Sequence, residues 1–108
     1  GLRSGLRGKI VRSSQDGLRL ARSLECASLK ITVGDVVFLG RSAGIVSACA
    51  ADEDVQLFAI VRLLQRRGEV TSHSSLWSPT PRLNVWSASA LRLPRAWYQD
   101  GDDLVVIV

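Results

Sequence analysis

The 108 residues are 46% apolar and 22% charged, a composition that fits one folded globular domain and excludes both a disordered chain and a two-domain protein. The net charge of +4 is unevenly placed, with residues 1–30 carrying +5 and residues 31–108 carrying −1. The uncharged stretch SAGIVSACAA at 42–51 is half the length of a membrane span, and no signal-peptide pattern opens the chain, so a soluble, non-secreted domain with no membrane partner is expected.

With no Met in the chain, the expectation is an excised domain or processed product, with residues 1–8 a basic arm or linker and 9–108 a single domain. Taken in order, KIVRSS (9–14), the turn QDG and LRLARS (18–23) predict a hairpin. In ITVGDVVFLG (31–40), Gly34 supplies backbone angles that other residues resist and Asp35 can cap the turn, so Val36 to Leu39 are expected to enter the core as a strand. GIVSACA (44–50) reads as the next strand, closed by a turn at Asp52, Glu53 and Asp54. VQLFAIVRLLQRR (55–67) fits both helical and strand spacing, and its Val, Phe and Ile content between hairpins favours strand. After Gly68 come EVTSHSSLW, a break at SPTP, RLNVW, a candidate helical turn in SASAL capped by Ser87, AWYQ, the turn DGDD and a closing strand LVVIV.

Short strands separated by turns, without βαβ alternation, predict a mostly β domain. At this length the economical forms are a small SH3-like barrel or a strongly bent antiparallel sheet, with at most one short helical turn. The segments ITVGDVVFLG and AGIVSACAADEDVQLFAIVRLL resemble the bromo-adjacent homology (BAH) domain and other SH3-like barrels of chromatin proteins, over roughly residues 30–75. The resemblance implies a nuclear, chromatin-associated module that recognises a protein partner such as a histone tail. It departs at LLQRRGEV, where the family usually carries an aromatic and Pro-containing stretch, and no ligand-binding residue is carried over from it.

The residues themselves offer two candidate binding sites. Trp77, Trp86, Trp97 and Tyr98 lie in the last third near Asp100, and ring faces beside an acid can hold a cationic side chain of a peptide. The competing reading makes these rings core, because each tryptophan buries a large area. Arg3, Arg7, Lys9, Arg12, Arg19 and Arg22 could follow a nucleic-acid backbone, with Arg66 and Arg67 adding to them. Arginine outnumbers lysine twelve to two, which suits bidentate contact with phosphate or carboxylate.

Catalytic and metal chemistry find little support. His73 is the sole histidine, no nucleophile elbow or phosphate-binding loop is present, and Cys49 sits in an apolar strand that disfavours a thiolate. Cys26 and Cys49 with one histidine do not make a zinc site, and two buried thiols are expected rather than a disulfide. The sequence therefore predicts a non-enzymatic binding module without a cofactor. A protein tail is its first expected partner, nucleic acid the second, and a scaffolding or dimerisation role through an edge strand, with LVVIV the candidate, the third.

Overall fold

A computed structural model of the chain describes residues 17–22, 25 and 29–108. The strand expected over 9–14 and the thiol of Cys26 lie outside them. Seven strands build one antiparallel sheet: β1 (Arg19–Leu20), β2 (Val36–Leu39), β3 (Ser42–Ala51), β4 (Leu57–Thr71), β5 (Ser74–Ser87), β6 (Ala96–Asp100) and β7 (Asp103–Ile107). The order across the sheet is β1-β3-β4-β5-β7-β6, with β2 also pairing β3. A 3-10 turn at Ala88–Ala90 follows β5. The sheet is not closed into a barrel.

Turn chemistry sets these strands as the glycine positions foretell. Gly34 takes φ +97°, and the Asp35 Oδ2 accepts the Thr32 N–H at 2.9 Å, which squares the chain for entry into β2. Gly40 and Gly101 hold positive φ at the first position of two-residue loops whose second residues do not. That is the II′ pattern, whose twist matches the flanking strands of β2–β3 and β6–β7. At the β3–β4 turn Asp52 Oδ1 accepts the N–H groups of Asp54 and Gln56 at 3.0 and 2.9 Å, so the acidic cluster is a turn.

The ambiguous segment is strand, and it is longer than expected: β4 runs 15 residues and pairs with β3 on one side and β5 on the other. Its first half is buried on both faces. Ala59 and Val61 join Val37, Val46, Cys49 and Trp86 on one face, while Phe58 and Ile60 join Ala50 and Val85 on the other. Further along, Leu64 meets Val36, Phe38, Ala43, Trp77, Leu104 and Val106 in a third cluster. Strands buried on both faces lose the clean alternation of a half-exposed strand, which is why helix and strand periods competed in the sequence.

Three expectations are corrected here. SPTP does not break the chain: Pro79 lies within β5 opposite Leu64, and the next register pair is Leu83 with Arg62. Three residues of β5 thus oppose one of β4, a bulge that tolerates prolines lacking an N–H, and the Thr80 hydroxyl donates to the Leu63 carbonyl at 2.9 Å to hold it. Ser87 does start the helical turn, but its side chain makes no cap bond and pairs with Ser89 Oγ at 3.2 Å instead. LVVIV is no edge strand: β7 lies between β5 and β6, with Leu104, Val105 and Val106 buried. The edge is β6.

Candidate functional site

The four aromatic side chains separate into two groups. Trp77 and Trp86 are core residues at 5% and 1% exposure, which removes them from any peptide site. Trp77 packs edge-on to Phe38 with ring centroids 5.9 Å apart, and its Nε1–H donates to Ser75 Oγ at 2.9 Å. Trp86 sits among Ile31, Val37, Val46 and Ala59, where its Nε1–H finds no acceptor among the described residues. Trp97 and Tyr98, at 38% and 53% exposure, lie on β6, where all five residues are exposed. Asp100 ends the same strand and is exposed as well.

Register fixes how β6 presents them. Trp97 pairs with Val106 and Gln99 with Leu104, so both point to the face of the third core cluster, and Tyr98 points to the other with Val105. A two-residue hairpin loop makes Asp100–Asp103 a hydrogen-bonded pair, and by alternation Tyr98–Val105 is one too. The main-chain groups of Trp97 and Gln99 therefore face away from β7, along the free side of the sheet.

Across from Trp97 stands the start of β2. The Phe38 N–H and C=O exchange hydrogen bonds with Arg92 at 2.8 and 2.9 Å, an isolated bridge between β2 and the segment leading into β6. The Arg92 guanidinium lies 5.6 Å from the Phe38 ring centroid and donates to the Gly40 carbonyl at 2.8 Å. Continued in register, the next pair would be Val36 with Pro94, and Pro94 has no N–H to give. The ladder stops there, and Arg95 turns to β7 through its N–H to the Ile107 carbonyl at 2.8 Å. The two strands diverge around a cleft of about 360 Å³ lined by Asp35, Val36, Pro94, Arg95, Ala96 and Trp97, with Leu93 beside them.

Asp35 thus has a second place in the molecule that its turn position alone did not reveal. Its Oδ2 is committed to Thr32, and its Oδ1 has no hydrogen bond among the described residues. More acid gathers at the far end of β6, where Asp100 and Asp102 are exposed and Asp103 accepts the Ser78 hydroxyl at 2.9 Å.

The basic arm is only partly in view. Arg3, Arg7, Lys9 and Arg12 lie outside the described residues. Arg19 makes a two-pronged ion pair with Glu25 at 2.9 and 2.8 Å, and Arg22 gives its backbone N–H to the same carboxylate at 2.7 Å. These contacts, the Arg19 guanidinium first, hold the Glu25 carboxyl down to about 2 from its ordinary 4.5. Cys49 and His73 are not brought together: Cys49 is buried opposite Ala59, and His73 is exposed at the β4–β5 tip. Among the described residues no three His, Cys, Asp or Glu side chains gather as metal ligands, and no helix is long and apolar enough to cross a membrane. No protein-family model matches the sequence, and no curated protein or solved structure matches it either.

Proposed function

We propose that the chain is a non-catalytic interaction module whose β6 edge recognises a tail of a partner protein. The observation that carries this reading is a sheet margin with two exposed aromatic side chains and all five of its residues open to solvent. Natural sheets usually blunt their edges with charge, proline or a covering segment, and an uncovered edge bearing Trp and Tyr suits a docking strand. The resemblance of residues 30–75 to BAH domains makes chromatin the setting and a histone-like tail the partner, and a nuclear location follows from that same resemblance. The nucleic-acid alternative draws no support from Arg19 and Arg22, whose charge is turned to Glu25.

The test is fluorescence anisotropy of labelled histone-tail peptides titrated with the 108-residue chain and with Trp97→Ala and Tyr98→Ala. The expected result is binding that weakens about tenfold or more in at least one variant while the thermal midpoint holds, as for an exposed binding residue. Wild-type affinity in both variants, or no binding of any tail by the parent chain, overturns the reading.

A further inference from the structure

The cleft between β2 and β6 has the features of an unfinished strand pair. On one wall, Asp35 bonds β3 through its carbonyl to the Val46 N–H at 2.9 Å, and Phe38 bonds outward to Arg92. Alternation therefore turns the N–H and C=O of Val36, a buried residue, outward beside Phe38's, where the register offers only Pro94. Buried main-chain groups are nearly always paired, so the outward N–H and C=O of Val36 favour a polar partner. On the other wall Trp97, which also lines the cleft, turns its N–H and C=O to the free side of β6, and Gln99 continues that free side beyond the cleft.

The side chains add a preference of charge. Asp35 lines the cleft with one carboxylate oxygen uncommitted, and Trp97, whose side chain is partly exposed, lines it as well. An indole face and a carboxylate together favour a cation that has left water. Asp100 and Asp102 extend the acidic character along the β6–β7 hairpin, against the single positive charge of Arg95 in the cleft.

We propose that the wedge between β2 and β6 takes an extended, basic peptide segment of a partner protein. It adds to the free side of β6 as a further strand and lays a lysine or arginine side chain between the Trp97 indole and Asp35. This rests on the reading of β6 as the recognition edge and specifies its occupant. The volume of about 360 Å³ sits at the small end of ligand clefts, enough for the anchoring side chain and its neighbouring peptide units while the rest of the strand lies along the open edge.

The probe is a labelled octapeptide of alternating Thr and Lys, compared with its Thr-Glu counterpart, each titrated with the full chain. Two substitutions separate strand addition from charge. Gln99→Pro removes an N–H that faces away from β7, so the fold keeps its ladder while the added strand loses a bond. Asp35→Asn keeps an oxygen for the Thr32 N–H and removes the charge. The expected result is binding of the Lys peptide only, weakened about tenfold or more by Gln99→Pro and about fivefold or more by Asp35→Asn, as for loss of a main-chain pair and of a charge partner. Slowed exchange of the Trp97 and Gln99 amides in the complex is the direct mark of a strand.

If Gln99→Pro binds like the parent while Trp97→Ala does not, strand addition is overturned and recognition at β6 stands. Equal binding of the Lys and Glu peptides, or of Asp35→Asn and the parent, overturns the cationic occupant. Binding of neither peptide, with a sedimentation mass that falls from dimer to monomer on Gln99→Pro, makes a second copy of this chain the occupant and overturns the proposal. No binding from a monomeric chain overturns it as well.

Discussion

Trp86 and Trp97 are the same residue in two strands of one sheet, and they mark the difference between its centre and its margin. Trp86 lies in β5, flanked by β4, with core on its own face and a second cluster on the reverse. Trp97 lies in β6, with a neighbour on one side only and solvent reaching it. Around Trp86 the sheet is covered on both faces, and its large side chains are committed to packing. The margin leaves main-chain groups open and keeps an aromatic ring where a partner can reach it. On the proposed function, stability and recognition fall to different strands, and substitutions can test whether that division holds.

The largest effect is expected from truncating the two rings in parallel. Trp86→Ala should cost roughly 3–5 kcal/mol in urea unfolding, the range for a large aromatic removed from a packed core, and that is a large part of a small domain's stability. Trp97→Ala should cost less, about 1 kcal/mol, as for a side chain that packs at the rim of the core and stays partly open to solvent. A cost for Trp97→Ala comparable with that of Trp86→Ala would break the comparison, because it would make the margin part of the core.

A smaller effect of opposite sign sharpens the picture at the β3–β4 turn. Val55 holds φ +60°, a conformation that a β-branched side chain resists, and it is exposed, so no packing repays the strain. Its N–H donates to the Asp52 carbonyl at 3.0 Å, and with Asp52 Oδ1 bonding residues 54 and 56 the turn geometry is over-determined. Val55→Gly should raise stability by roughly 0.5–1 kcal/mol, the relieved left-handed strain less the added freedom of the unfolded chain. A fall in the urea midpoint would show that Val55 packs more in solution than its exposure indicates.

Much of this division was written in the sequence, though unevenly. The turns at Gly34 and Gly101 were legible because a positive φ has few residues that accept it, while the turn at Gly40 was not singled out. The strand identity of 55–67 was legible from composition, while its burial on both faces was not, since that depends on what packs from elsewhere in the chain. The two classes of aromatic were not separated, because burial of Trp77 and Trp86 follows from strand order. The signal for that order was present: unbroken LVVI suits a strand flanked on both sides, and the mixed WYQD suits a margin. Asp35 was read as turn chemistry, and that was right. Its place in one cleft with Trp97 depends on a gap opened by Pro94, a juxtaposition across 62 positions that no local pattern encodes.

The smallest effect belongs to the other margin, where the two-residue β1 lies against the end of β3. Its anchor in view is the Glu25 carboxylate, gripped by the Arg19 guanidinium and the Arg22 N–H and held down to about 2 from 4.5. Because the folded value lies below the ordinary one, this contribution is fully present above about pH 4.5 and is lost as the pH falls from there towards about 2. The Arg19 side chain is 43% exposed, so solvent and salt screen the pair and the effect on global stability is small. Thermal midpoints of the parent chain and Glu25→Gln should differ slightly near neutral pH and converge in acid, with the difference shrinking in high salt. Two curves that coincide at every pH would mean that β1 is held by its ladder with β3 alone, and the margin would then owe nothing to charge on that side.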